Sequence, residues 1–267
     1  MVIRKLKRWR AAGVGVAALS LAACGEAGGE AGEPGEAGVS GEAGEASAPA
    51  TVAPAGGEAG AAGAASAYAG LSGDQRTALR IEHLNGFVMA AAAVNEAGQP
   101  EEAAVLIQQG LLEVYDVAPD QFGDADIGIV RSAADSSLDR TQLAQRIRDS
   151  QTELERALAD LEVDHSVLVA RMVDIAAGLY QGVVQADFVD PIEYQHSMGA
   201  ALAARQALQA GESTLRARDA RAYDEASSEL DRLVGLWPQP TAPEQPASYS
   251  QVLAQSSRVR LALSPFL

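Results

Sequence analysis

Beyond Ser72 the apolar residues fall at helical spacing, and no stretch alternates with the period of two that marks a half-buried strand. Ser72 stands as a cap before a helix running to about Glu96, with Leu79, Leu84, Phe87 and Val88 on its apolar side. Residues 95–100 (NEAGQP) break it, Gly98 as stop and Pro100 as a first-turn residue of a second helix over about 100–116. Residues 117–124 read as a loop and 125–135 as a short helix. Leu143, Ile147, Leu154, Leu158 and Leu161 recur at spacings of 4, 7, 4 and 3, an amphipathic helix over about 139–163. Residues 166–187 are apolar nearly all round, which implies a central, buried helix. Asp190-Pro191 is a cap and first-turn proline opening a helix to about 217, another covers 220–236, and a last one covers 248–263 after an extended connection holding Pro238, Pro240, Pro243 and Pro246. The predicted fold of 71–267 is all-α, an antiparallel bundle of seven or eight helices with no sheet.

Before residue 71 the pattern is different. Residues 1–23 are a basic stretch (Arg4, Lys5, Lys7, Arg8, Arg10) followed by 13 apolar or small residues, too few for an ordinary transmembrane helix and suited to a secretory signal. Leu21-Ala22-Ala23-Cys24 resembles the bacterial lipobox, which implies cleavage before Cys24 and acylation of that residue. Several acyl chains give stable anchoring where one does not. Gly25 follows, where an aspartate is the usual inner-membrane retention signal, so the resemblance implies the outer membrane. Residues 24–70 hold 13 of the 26 glycines, seven glutamates and five copies of Gly-Glu-Ala-Gly. With almost no large apolar residue this reads as a disordered tether, with an end-to-end distance of roughly 40 Å. The expected organisation is a signal peptide at 1–23, a lipidated Cys24 and tether at 24–70, and an all-helical domain at 71–267.

Charge narrows the partners. The chain carries 20 basic and 36 acidic residues, a net charge of −16. Without the five bases of the leader the balance is 15 against 36, or −21, and without the seven tether glutamates it is −14 for the helical part. An acidic body argues against nucleic acid, whose phosphates require clustered Lys and Arg. One cysteine excludes an internal disulfide.

Candidate chemistry centres on the histidines. Glu193-Tyr194-Gln195-His196 is a Glu-x-x-His, which puts both side chains on one helical face, the spacing that di-metal bundles use twice. It occurs once here. His83 and Glu113 complete a candidate metal set if their helices face it, a mix of imidazole and carboxylate suited to a divalent ion. Alternatively His83 and His196 are buried packing residues, with Gly86 and Gly199 allowing close helix contact. His83-x-x-Gly86 and His196-x-x-Gly199 also sit in similar surroundings, each followed by an Ala-rich stretch and an Ala-Gly break (Ala97-Gly98, Ala210-Gly211), which suggests two related hairpins 113 residues apart. His165, in Asp164-His165-Ser166, reads as a loop or cap residue. No nucleophile elbow, phosphate loop, His-Glu-x-x-His or dinucleotide fingerprint is present, so no catalytic residue is assigned and the chain reads as non-enzymatic.

His83-Leu84, Glu113-Val114-Tyr115, Glu193-Tyr194-Gln195 and Gly199 together resemble a set of uncharacterised helical periplasmic proteins, themselves loosely similar to imelysin-type iron-handling lipoproteins. The resemblance spans about 76–236 and implies a periplasmic helical bundle with metal-related work. The chain departs from the imelysin pattern in lacking Gly-x-His-x-x-Glu, and in having Leu106 and Gln109 where histidines are expected. Two functional expectations follow. One is a lipid-anchored helical bundle that binds a protein or other component of the bacterial envelope in a scaffold role, without a cofactor. The other is an accessory lipoprotein handling iron or another divalent ion.

Overall fold

The structure is a computed structural model, and it describes residues 64–185 and 188–267. The leader, Cys24 and the tether up to residue 63 lie outside the described residues. The chain joins the core before Ser72, because Ala64 and Ala67 are already buried.

Eight α-helices follow among the described residues: α1 (Gly73–Glu96), α2 (Pro100–Gly110), α3 (Ile127–Ser132), α4 (Arg140–Ala159), α5 (His165–Tyr180), α6 (Pro191–Ala210), α7 (Glu212–Val234) and α8 (Tyr249–Leu263). The all-α bundle expected from the sequence is the fold observed. Its punctuation is chemical. Asp126, Asp139, Asp164, Asp190 and Ser248 each accept backbone N–H bonds at a helix start, and Asp139 with Gln142 and Ser248 with Gln251 form reciprocal capping boxes. Ser72 holds the cap position of α1 but makes no side-chain cap bond. Gly98, at φ +90°, turns the chain between α1 and α2, a backbone conformation that side chains rarely adopt.

The structure differs from the predicted elements in four places. The helix expected over 100–116 ends at Gly110 and continues as a π turn, Leu111–Tyr115. The buried helix expected to reach 187 ends at Tyr180. Beyond it Val184–Gln185 and Phe188–Val189 pair as a two-residue antiparallel ribbon, where the sequence predicted no sheet. The β-branched and aromatic residues Val184, Phe188 and Val189 favour that pairing locally, and the Asp190 N–H closes it onto the Val183 carbonyl at 2.8 Å. The break expected between 217 and 220 appears as a kink at Asp219, whose carboxylate caps the Ala222 N–H at 3.0 Å. The Ala210-Gly211 break read from the sequence is present at Gly211, between α6 and α7.

The central pair is α5 and α6. Helix α1 packs on α6, α2 and α4, and α8 packs on α5 and α7. Helices α1 and α6 approach closely at Gly86 and Gly199. A Cβ at Gly199 would stand 2.2 Å from the Gly86 carbonyl oxygen, so the two backbones touch and position 199 requires glycine on steric grounds. Ala90 and Ala200 flank the crossing, and Ala91, Ala203 and Ala204 on the same two helices are buried. No helix among the described residues is long and apolar enough to cross a membrane.

Candidate functional site

The α1–α6 crossing fixes the place of the candidate residues. His83 lies three residues before Gly86 on α1, and His196 three residues before Gly199 on α6, so each imidazole sits about one turn from the contact point. Both rings pack on Phe87, with centroid distances of 5.6 Å from His83 and 4.3 Å from His196. Both histidines are buried, and burial pushes each down to about 3, so both are neutral at physiological pH. For His83 the charge of Arg80 pushes further in the same direction.

Their hydrogen bonds separate them. His83 Nδ1 is 2.7 Å from the Tyr68 hydroxyl, and that phenol ring lies under the Arg80 guanidinium at 4.0 Å. His196 Nε2 is 3.1 Å from Gln109 Oε1. An amide oxygen only accepts, so the His196 proton resides on Nε2 and the Nδ1 lone pair is free. That Nδ1 is buried and has no hydrogen-bond partner. Facing it, 3.9 Å away, is Glu113 Oε2.

Glu113 reaches this position from the π turn. A π turn re-aims side chains relative to a continuous α-helix and is frequent at functional sites. The turn lies against α1 because residue 110 is glycine. A Cβ there would stand 2.7 Å from Phe87 Cβ and Cγ, the ring that supports both histidines. Glu113 is half-exposed, and partial burial raises its carboxyl to about 6.

Glu193, one turn before His196 on α6, is buried, and its Oε2 has no partner. Burial raises it to about 7, and the negative charges of Glu113 and Asp190 add to the shift. Thus Glu113, Glu193 and His196 share one neighbourhood, with an unpaired carboxylate oxygen and an unpaired imidazole nitrogen among them. As the side chains stand, no three His, Cys, Asp or Glu groups among the described residues converge closely enough to hold a metal ion.

The other sequence-derived residues take structural places. The Gln195 Nε2 group donates to Glu102 Oε1 at 2.6 Å and to the Pro240 carbonyl at 3.3 Å, and the Tyr194 hydroxyl donates to the Gln239 carbonyl at 3.0 Å. These bonds fasten the proline-rich connection to α6. His165 opens α5 and packs against Gly211. Gln109, Phe87 and Tyr68 are the residues that sequence reasoning did not assign to the site. Gln109 had one signal: it occupies a position where the imelysin pattern has a histidine.

Residues 165–266 match the family described as the iron permease-associated 4-helix bundle domain. The matched segment holds α5 to α8 and includes Glu193 and His196, whereas His83, Gln109 and Glu113 come from helices before it. No curated protein and no solved structure matches the chain.

Proposed function

We propose that this chain is a non-enzymatic accessory protein of the bacterial envelope that handles iron or another divalent ion, taken up between Glu113, Glu193 and His196. The observation that carries this reading is the His196 imidazole. Gln109 holds its proton on Nε2, which leaves the Nδ1 lone pair buried, unpartnered and 3.9 Å from a carboxylate. Two electron-pair donors facing each other with no proton between them call for a cation. A metal bonded at about 2.1 Å to each of two ligands holds them roughly 3–4 Å apart. An imidazole nitrogen with carboxylate oxygens suits iron, zinc and copper alike, and a metal-binding histidine is usually supported by an outer acceptor that fixes its tautomer, the part the Gln109 amide oxygen plays here.

Half-exposed Glu113 is free to swing, so it serves as the entry and exit ligand, while buried Glu193 and His196 form the fixed wall. His83, engaged by Tyr68, acts as a packing residue in this reading and is left out of the ligand set. The iron association named in the description of the matched domain and the resemblance to imelysin-type lipoproteins both support metal as the cargo. Cys24 then serves as a lipid anchor and residues 25–63 as a spacer, which would keep the domain beside the membrane, on the periplasmic face of the outer membrane, for exchange with an envelope protein.

Calorimetric titration of the full chain with Fe(II), Zn(II) and Cu(II) tests the reading. One ion per chain is expected for at least one of these metals, weakened tenfold or more by Glu113→Gln and by Glu193→Gln, with unchanged circular dichroism. Absence of binding to the wild-type chain, or affinity indifferent to both substitutions, would reject it. Anchoring is tested separately by cell fractionation, where Cys24→Ser should move the protein out of the membrane fraction.

A further inference from the structure

A second polar group on α1 is used by nothing described so far. Glu82 is 1 % exposed, and its Oε1 has no hydrogen-bond partner. It lines a cleft of about 520 Å³ between α1, α4, α5 and α6. Its apolar wall is formed by Leu158, Leu161, Val163 and Leu168, and His165, Gln206 and Gln209 line it beside the acids. Glu155 is the second acid of the lining, which contains no lysine or arginine. Gln206 ties the polar end together, donating to Glu155 Oε1 at 2.7 Å and accepting from the Asn85 amide at 3.0 Å. Asn85 Oδ1 is also buried without a partner.

We propose that this cleft is a binding site for a small organic cation, an ammonium head on an apolar tail, with the head on Glu82 and Glu155 and the tail along Leu158, Leu161, Val163 and Leu168. The volume lies in the range of small-molecule sites, which combine apolar walls with a few placed polar groups. Buried polar groups are almost always satisfied in folded proteins, so an unpartnered carboxyl oxygen at the end of an apolar cleft points to a donor supplied from outside. The sign of that donor follows from the lining, which offers two acids and, as its one basic group, His165, whose ring burial holds below its ordinary value and so towards the neutral form. An anionic or neutral amphiphile would fit the walls equally well but would leave the acids facing a like charge or a weaker partner.

The charge balance of binding is explicit. Burial raises Glu82 to about 8, helped by the charge of Glu155 and opposed by the Asn85 amide, so the empty cleft holds a neutral carboxylic acid at pH 7. The incoming ammonium keeps its proton and donates a hydrogen bond to the carboxylate. The Glu82 proton leaves to solvent, so that a neutral acid becomes a carboxylate–ammonium pair with no net charge.

The test is calorimetric titration of the full chain with n-hexylammonium, n-hexanoate and n-hexanol, repeated with Glu82→Gln and with Leu161→Trp. Saturable binding of one n-hexylammonium per chain is expected, at least tenfold tighter than either of the other two. A heat that varies with the ionisation enthalpy of the buffer should accompany it, reporting the released proton. Glu82→Gln keeps the volume and a neutral group, so it should preserve the fold and weaken n-hexylammonium at least tenfold. Leu161→Trp should fill the cleft and abolish binding. No binding of n-hexylammonium, equal binding of the three probes, or a Glu82→Gln affinity within twofold of wild type would each overturn the assignment. None of these results bears on Glu113, Glu193 or His196, which belong to the other site.

Discussion

The carboxylate of Glu113 stands 3.9 Å from Nδ1 of His196, the one buried nitrogen of that ring left without a hydrogen bond. The pair joins elements far apart in the chain, a π turn after α2 and the second turn of α6. Two glycines permit it, Gly110 against Phe87 and Gly199 against Gly86.

The first prediction concerns the pH dependence of metal uptake. Glu113 and Glu193 are raised to about 6 and about 7, so a cation must displace protons from them. Affinity should therefore rise steeply between pH 5 and 7.5 and level off above, by titration in a non-coordinating buffer. A flat profile over that window would remove both carboxylates from the ligand set.

Gln109 should matter through His196 rather than by touching the ion. Gln109→Leu frees Nε2 and lets the proton move to Nδ1, which blocks the lone pair. Metal affinity should fall by about 10- to 100-fold, and the nitrogen chemical shifts of the His196 ring should report a changed tautomer. Thermal stability should change little. If the tautomer and the affinity both stay at wild-type values, Gln109 does not set the ligand.

The helix crossing predicts an asymmetric pair of substitutions. Gly199→Ala places a methyl 2.2 Å from the Gly86 carbonyl oxygen, so α1 and α6 must separate. Overpacking of this kind costs about 1–3 kcal/mol, a melting temperature lower by roughly 2–12 °C for a domain of this size. Gly86→Ala meets its nearest atoms at 3.1 Å. The gain of about 1 kcal/mol in helix propensity offsets much of that strain. Thermal melts should rank Gly86→Ala close to wild type and Gly199→Ala well below it, and the reverse order would contradict the crossing geometry.

Stability of the metal-free chain should peak in mildly acidic solution. The neutral His83 ring, held down to about 3, binds fewer protons folded than unfolded between pH 3 and its ordinary 6.5, so stability rises with pH there. Glu82, raised from 4.5 to about 8, binds more protons folded than unfolded across that window, so stability falls as pH rises through it. Glu82→Gln removes the share of that slope due to Glu82, while Glu113 and Glu193, raised to about 6 and about 7, keep theirs. Melts at pH 5.5 should match wild type closely, and at pH 8.5 the variant should melt higher. A wild-type chain that melts at the higher temperature at pH 8.5 would show that Glu82 is not a buried acid.

Much of the fold is legible in the sequence because its signals are local. Asp190-Pro191, Asp164 and Asp139 mark helix starts by capping chemistry that acts within three residues, and the apolar surround of Val169, Met172 and Ile175 implies a buried helix without reference to any neighbour. The glycines of His-x-x-Gly foreshadow the crossing of α1 with α6. The π turn at Leu111–Tyr115 is not legible, because it is set by Phe87 pressing on Gly110 from another helix. The ribbon at 184–189 is too short to carry a periodicity. Within the site, Glu193 and His196 follow from i, i+3 spacing. The roles of Gln109 and Tyr68 depend on tertiary contacts across 87 and 15 residues of chain, which no local pattern encodes.

Of the two buried histidines, only His196 offers a free Nδ1 lone pair to a cation. Zn(II) titration of the full chain, compared among wild type, His196→Ala and His83→Ala, addresses this directly. His196→Ala should weaken binding at least tenfold, and His83→Ala should leave it within about twofold once folding is verified by circular dichroism. Undiminished binding to His196→Ala, or a greater loss in His83→Ala, would contradict the assignment of the metal to Glu113, Glu193 and His196.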